Sequence, residues 1–198
     1  MNATQHSFHN QRTLELKRDI LNQRPVAVWL TGLPASGKST IASLLELSLL
    51  EQGYITQWLD GDTLRSGLTS DLGFTDEEQE ENIKRCSETA KLFLDSGIIT
   101  ICSFISPSER LRNIARKIIG LSYFLEVYIY CPLEVCVQRD EKNMYSRALR
   151  GGVTNLSGVD YDYEAPRHPW LQLYTSYHTA EECKNQLLEA LTPRIKLL

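Results

Sequence analysis

The run GLPASGKST, from Gly32 to Thr40, limits the possible folds of this chain more than any other feature. It follows an apolar run, Val26–Leu30, and precedes a helical pattern. This order of strand, glycine-rich loop and helix is typical of a loop that binds phosphate at the positive end of a helix dipole. We therefore predict that a nucleoside triphosphate binds to Gly32, Leu33, Pro34, Ala35, Ser36, Gly37, Lys38, Ser39 and Thr40.

Four residues of this phosphate loop have separate chemical tasks. Gly32 and Gly37 allow the backbone to turn tightly and to direct its N–H groups inward. Lys38 is expected to reach the terminal phosphate oxygens and to act in catalysis. Ser39 is expected to offer its hydroxyl to Mg²⁺.

Composition and charge exclude several classes of protein. The 198 residues suffice for one α/β domain, and a net charge of −4 argues against general nucleic-acid binding. The first 24 residues are polar and show no apolar core of a signal peptide, and no apolar run approaches the length of a membrane span. The five cysteines show no CxxC spacing, which predicts reduced, buried thiols in a cytoplasmic protein. His6 and His9 are expected to be solvated.

Alternating strand and helix patterns predict an α/β fold, a doubly wound and mostly parallel sheet flanked by helices. The predicted strands are Val26–Leu30, Ile55–Leu59, Ile98–Phe104, Phe124–Cys131 and Leu171–Tyr174. Capping boxes at Thr75 and Thr179 open two of the predicted helices. We expect a leader at 1–24, helical from Thr13 to Gln23, and a single nucleotide-binding domain at 25–198 with a lid segment at about 140–169.

Parallel strands gather their carboxyl ends at one rim, where ligands bind in such sheets. Asp62, just past the second strand, can serve as a catalytic carboxylate or as a turn aspartate bonded to its own backbone. Asp60 is expected to be structural. Arg65 can clamp an anion or remain solvated. Phe74 can form a hydrophobic staple with the next helix or stack on a base.

Three further positions at this rim allow two interpretations each. Asn82 and Arg85 lie on one helical face and point together either into the cleft or into water. Ser106 can contact a ligand or cap the helix that Pro107 begins. The basic lid residues are Arg139, Lys142, Arg147 and Arg150, and such a lid shields phosphoryl transfer from water, although Arg150 fits a plain solvated face.

These motifs together resemble the adenylylsulfate kinase family. The resemblance covers about residues 21–191 and rests on LTGLPASGKST, LDGDTLRSGL, DLGFTDEEQEENIKR, ITICSFISP, LEVYIYCPLEVCVQRD and YEAPRHPWLQL. It implies a homodimeric, ATP-dependent and Mg²⁺-dependent kinase of sulfate assimilation. Such a kinase phosphorylates the 3′-hydroxyl of adenosine 5′-phosphosulfate, a small-molecule nucleotide, and needs neither nucleic acid nor membrane.

The resemblance also implies roles for individual residues. Asp62 would be the catalytic carboxylate, Phe74 would stack on the substrate adenine, and Ser106 is the family's proposed phosphoserine. The expected substrate contacts are Asp62, Arg65, Phe74, Asn82, Arg85, Ile105, Ser106, Lys142 and Leu156. Arg147 of the lid is expected to contact ATP, and Tyr145 belongs to the same lid.

The chain departs from the family pattern near the acceptor nucleotide. Gln79 stands where relatives carry an arginine, and Leu156 replaces the phenylalanine that completes the adenine sandwich. Ser146 and Leu149 replace basic lid residues. Two competing hypotheses therefore stay open: a kinase for another modified nucleotide, such as a cytidine diphosphoramidate, and a non-catalytic nucleotide-binding module.

Overall fold

The computed structural model describes residues 3–140, 143–150 and 156–197. The strands are β1 (Ala27–Thr31), β2 (Thr56–Asp60), β3 (Ile99–Ser103), β4 (Phe124–Tyr130) and β5 (Leu171–Tyr174). The helices are α1 (Ala3–Leu21), α2 (Lys38–Glu51), α3 (Gly61–Arg65), α4 (Asp76–Asp95), α5 (Glu109–Ile119), α6 (Leu133–Gln138), α7 (Met144–Leu149) and α8 (Ala180–Ile195).

The strands form one sheet in the order β2-β3-β1-β4-β5, and every neighbouring pair is parallel. The predicted doubly wound α/β fold is therefore confirmed. Register brings the carboxyl ends of three strands together, because Ser103 pairs with both Leu30 and Asp60. The rim that these ends form is where the phosphate loop begins.

Helices cover both faces of the sheet. One apolar cluster joins the strands to α2 and α8, and a second joins them to α4 and α5. The near-continuous apolar character of β1 and β3 follows from this, since both strands are buried along their whole length. Trp29, fully buried in β1, lies in the second cluster against Phe104 and Phe124.

Among the local predictions, the capping boxes are confirmed and the start of the first helix is corrected. Both capping boxes are present, with Thr75 paired to Glu78 and Thr179 paired to Glu182. Helix α1 begins ten residues before the predicted Thr13.

Candidate active site

A cavity of about 560 Å³ opens at the carboxyl rim of the sheet. Its wall includes the phosphate loop, the stretch from Asp60 to Arg65, the end of β3, and four residues of the predicted lid segment, Asp140, Met144, Leu156 and Ser157. This size lies within the range of small-molecule sites. The cavity therefore joins the predicted triphosphate end to the predicted acceptor end.

The phosphate loop has the backbone that its two glycines predict. Gly32 has φ 155°, and a Cβ atom built on it would lie 2.5 Å from the carbonyl oxygen of Ile129. Gly37 has φ 98° and precedes α2, so the helix begins at Lys38 with its amino end at the cavity. Any side chain at Gly32 would displace the loop from β4.

Lys38 lies at the base of the loop with its ammonium group held by main-chain oxygens. Its Nζ atom donates to the carbonyls of Gly32 at 3.0 Å and Leu33 at 2.6 Å. A phosphate oxygen would replace these carbonyls as the stronger, charge-assisted partner. Lys38 is thus positioned for the predicted role.

Asp60 organises the base of the cavity. Its Oδ1 atom accepts hydrogen bonds from the hydroxyls of Ser39 and Ser103, both at 2.8 Å. Its Oδ2 atom accepts from the main-chain N–H groups of Asp62 and Thr63, which makes Asp60 the N-cap of α3. Asp60 is structural, as predicted, and it also orients the Ser39 hydroxyl.

Asp62 lies in the first turn of α3 and lines the cavity. The turn-aspartate geometry, a side chain bonded to the backbone two residues on, belongs to Asp60. Asp62 is an exposed residue of the cavity wall, and α3 carries it between Asp60, which bonds to Ser39 of the phosphate loop, and Arg65, which lies over Phe74. A proton acceptor is needed at that place for transfer to a hydroxyl.

Arg65 and Phe74 form one wall of the acceptor pocket. The Arg65 guanidinium lies 4.2 Å from the centroid of the Phe74 ring and donates to the carbonyl of Gly73 at 3.1 Å. Burial lowers the pKa of Arg65, yet a guanidinium stays charged. Phe74 is 45 % exposed and lines the cavity.

The hydrophobic staple predicted for Phe74 is wrong. The staple partner would lie at the fourth helical position, and Gln79 stands there. The Gln79 side-chain amide donates instead to the Phe74 carbonyl at 2.9 Å. The Phe74 ring is thereby left on the cavity side, where it can meet a base.

Asn82 and Arg85, predicted to act together, are separated. Asn82 lines the cavity at 8 % exposure, and its buried Oδ1 atom has no hydrogen-bond partner within the described part of the chain. Arg85 lies outside the cavity wall and binds both carboxylate oxygens of Asp71, at 2.7 and 3.1 Å, and Glu81 at 2.9 Å. The geometry favours Asn82 as a ligand contact and gives Arg85 an ion-pair role on the surface.

Ser106 lines the cavity with Ile105, as expected. Its hydroxyl accepts from the indole Nε1 of Trp29 at 3.0 Å and donates to the Thr31 hydroxyl at 2.9 Å. The alternative N-cap role is wrong, because Ser108 caps α5 through the N–H of Leu111. Ser106 itself has φ 36°, a left-handed conformation that serine rarely adopts.

Part of the predicted lid packs directly on the phosphate loop. The hydroxyl of Tyr145, a fully buried residue of α7, donates to the Pro34 carbonyl at 3.0 Å. Leu156 lies in the same apolar cluster and also lines the cavity. Arg147 and Arg150 are exposed and lie outside the cavity wall. Lys142 is outside the described residues.

Sequence reasoning missed the residues that brace the loop from the far side. Arg139, predicted only as a lid cation, donates to the Thr175 carbonyl at 2.6 Å, and the Thr175 hydroxyl donates to the Ser36 carbonyl at 2.8 Å. Thr175 directly follows β5 and therefore lies at the carboxyl rim of the sheet. This position after a predicted strand was the sequence signal that could have identified it. Tyr161 was likewise missed as a cavity-lining residue. Its hydroxyl lies 3.5 Å from Oε1 of Gln79, the predicted departure from the family pattern, which also lines the cavity.

The part of the chain that the structure describes contains no helix long and apolar enough to cross a membrane. Its five cysteines are all buried and unpaired, as predicted. Burial raises the pKa of the Cys86 thiol to about 12. The Cys86 thiol is therefore an inert core group at neutral pH.

Comparison with known proteins gives consistent results. The family described as adenylylsulphate kinase matches residues 24–174. An adenylyl-sulfate kinase of Bacteroides thetaiotaomicron is 47% identical over 96% of this chain and 94% of its own, and one of Clostridium acetobutylicum is 51% identical over 88% and 87%. A structure of the Mycobacterium tuberculosis APS kinase in complex with AMPPNP and APS superposes with a TM-score of 0.81, at 39% identity over 85% of this chain and 98% of that one. The chain therefore belongs to the adenylylsulphate kinase family.

Proposed function

We propose that this protein transfers the γ-phosphoryl group of ATP to the 3′-hydroxyl of adenosine 5′-phosphosulfate, giving 3′-phosphoadenosine 5′-phosphosulfate and ADP. The observation that carries the proposal is one continuous cavity with a phosphate loop at one end and an aromatic, amide-lined pocket at the other. Asp62 lies on its wall between these ends. The related M. tuberculosis enzyme was solved with an ATP analogue and APS bound together.

The triphosphate end uses the loop backbone, Lys38 and Ser39. Main-chain N–H groups at the start of α2 hold the phosphates, and Lys38 stabilises the charge that moves with the γ-phosphoryl group. Positioning and charge stabilisation supply most of the catalysis in phosphoryl transfer.

Mg²⁺ fits the donor set near Ser39. The ion takes oxygen ligands, keeps several waters and needs few protein groups besides substrate phosphates. The Ser39 hydroxyl would bind it, and the Asp60 carboxylate 2.8 Å away would orient that hydroxyl. The ion, when bound, would neutralise charge on the bridging phosphate oxygens.

The acceptor end offers a base platform, a cation and an amide. Phe74 would stack on the adenine, and the unpartnered Oδ1 of Asn82 would accept a hydrogen bond from the acceptor nucleotide. Arg65, fixed over the Phe74 ring, would attract the phosphosulfate. Asp62 would accept the proton of the attacking 3′-hydroxyl.

Direct transfer to the nucleotide is favoured over a phosphoserine at Ser106. The Ser106 hydroxyl already donates its only proton to Thr31, and its oxygen accepts from Trp29. A nucleophilic serine needs a base within hydrogen-bonding distance, and its partner here is a neutral threonine. Ser106 would therefore shape the acceptor pocket and remain unphosphorylated.

An acceptor screen tests the proposal. Purified protein is incubated with MgATP and each candidate acceptor, ADP release is followed by a coupled assay, and products are identified by mass spectrometry. We expect rapid phosphorylation of adenosine 5′-phosphosulfate. Faster turnover of a cytidine 5′-diphosphoramidate would assign another acceptor, and nucleotide binding without turnover of any acceptor would indicate a non-catalytic module.

We also propose a homodimer that works in the cytoplasm. The assembly rests on the family resemblance, and the compartment is supported by five unpaired, buried thiols. Light scattering coupled to size-exclusion chromatography measures the mass in solution. A monomer at working concentration would overturn the dimer, and a secreted, periplasmic fraction would overturn the compartment.

A further inference from the structure

A buried cluster of charges lies behind the acceptor pocket, outside the cavity wall. Arg112 of α5 is 1 % exposed, and its Nε atom lies 3.1 Å from Oε1 of Glu126 in β4. Arg116, one turn further along α5, contacts the other Glu126 oxygen at 2.8 Å. Burying such charges is costly and often adds no net stability, so a cluster like this calls for another explanation.

Arg112 is more deeply buried than Arg116, and it alone of the two contacts the Ser106 segment. Its Nη1 atom donates to the main-chain carbonyl of Ser106 at 3.0 Å. Ser106 has φ 36°, and a non-glycine residue keeps such a conformation only when its surroundings impose it. The Arg112 contact anchors the carbonyl of the strained residue, while Trp29 and Thr31 hold its side chain.

We propose that Arg112 is a positioning residue for the acceptor site, held in place by Glu126. It fixes the Ile105–Ser106 segment against the cavity, where both residues meet the acceptor nucleotide; this inference rests on the proposed function. The Tyr163 ring, 5.8 Å from the Arg112 guanidinium, belongs to the same support because its hydroxyl bonds to Thr31 at 2.7 Å.

The expected effect is selective for the acceptor. The triphosphate end is braced separately, by Asp60 on Ser39 and by Thr175 on Ser36. Loss of Arg112 should therefore raise the KM for adenosine 5′-phosphosulfate about tenfold, the size expected for one charge-assisted hydrogen bond. The KM for ATP should stay within about twofold of the wild-type value, a change that is small beside the tenfold change expected for the acceptor.

The test compares Arg112→Lys and Arg112→Met with Arg116→Lys and Arg116→Met. A lysine at 112 keeps the charge beside Glu126 but cannot reproduce the planar fork that also reaches Ser106. The Arg116 variants break the shared ion pair with Glu126 and leave the contact of Arg112 with the Ser106 carbonyl in place, so they control for disruption of the charge cluster without loss of that contact. Both sets are measured for thermal midpoint and for the KM of each substrate.

A second readout does not depend on turnover. The indole N–H of Trp29 donates to Ser106, so its NMR resonance, assigned by its loss in Trp29→Phe, reports on the serine directly. We expect this resonance to move in Arg112→Lys and to stay in Arg116→Lys. An unmoved resonance with an unchanged acceptor KM in both Arg112 variants would overturn the inference, as would equal changes in the two sets. A moved resonance in a protein that does not use the acceptor would instead refute the proposed function alone.

Discussion

Asp60 and Asp62 should respond differently to substitution by asparagine: the first change should mainly lower stability, and the second should mainly lower activity. Asp60 accepts four hydrogen bonds, two from serine hydroxyls and two from the amino end of α3. An asparagine side chain has a single acceptor atom, so in Asp60→Asn it can serve the serines or the helix but not both. Asp62 lies in the cavity wall. The asparagine side chain in Asp62→Asn has nearly the same shape but cannot accept the proton of the acceptor hydroxyl.

The sizes of the two effects follow from these contacts. Loss of the N-cap in Asp60→Asn costs about 1 kcal/mol. The two hydroxyl bonds change from charged to neutral acceptors and weaken by up to about 1 kcal/mol each. A total of about 2–3 kcal/mol lowers the melting temperature by roughly 4–12 °C in a domain of this size. Asp62→Asn should leave the melting temperature within about 4 °C, because it removes a favourable charge from the first turn of α3 and a coulombic attraction to the half-buried Arg65 while keeping the shape of the side chain.

Activity should show the opposite order. Asp62→Asn should lower kcat by about 10²–10⁴, the contribution of a positioned general base, with ATP affinity retained. Asp60→Asn should weaken MgATP binding through Ser39 and reduce kcat less. Differential scanning fluorimetry and a coupled ADP-release assay measure both quantities. Equal melting temperatures for the two variants, or near-normal kcat in Asp62→Asn, would refute this division of labour.

Three further changes probe other parts of the site. Lys38→Ala should lower kcat by about 10²–10³ by removing the cation at the γ-phosphate, and steady-state kinetics within about threefold of wild type would contradict that role. Leu156→Phe should tighten the binding of adenosine 5′-phosphosulfate by up to about tenfold through a second base contact, and an unchanged KM would argue against a base at that wall. The main-chain N–H of Thr75, with the Gly73 N–H and the Thr75 hydroxyl, lowers the pKa of Glu78. A carboxylate whose pKa is lower in the folded state than in the unfolded state stabilises the fold at pH values above its unfolded-state pKa. At pH 7 the melting temperature of wild type should therefore exceed that of Glu78→Gln. This difference should shrink as the pH falls below the unfolded-state pKa of Glu78 and vanish below its lower folded-state pKa; a constant difference would contradict the capping-box account.

Local signals predicted much of the fold correctly. Both capping boxes and the strand Leu171–Tyr174 were predicted from patterns within a few residues, because a cap and a strand are specified by their own neighbours. The other strands lie within one or two residues of their predicted ends. The signal for the phosphate loop is also local, since its glycines, lysine and serine lie close together in the chain.

The errors arose where distant partners decide the outcome. Capping α5 was one of the two roles predicted for Ser106. In the structure Trp29 and Arg112 hold Ser106, and Ser108 caps the helix. Arg85 turned from the cleft because Asp71, fourteen residues away, binds its guanidinium with two hydrogen bonds. Such contacts depend on tertiary packing and leave no local periodicity.

The proposed reaction requires one cavity to hold ATP and adenosine 5′-phosphosulfate together, with Asp62 between them. A crystal structure with a non-hydrolysable ATP analogue and adenosine 5′-phosphosulfate tests this most directly. We predict the triphosphate on the Lys38–Ser39 loop, the acceptor adenine against Phe74, and the 3′-hydroxyl within hydrogen-bonding distance of the Asp62 carboxylate. An acceptor bound elsewhere, or a ribose far from Asp62, would contradict it.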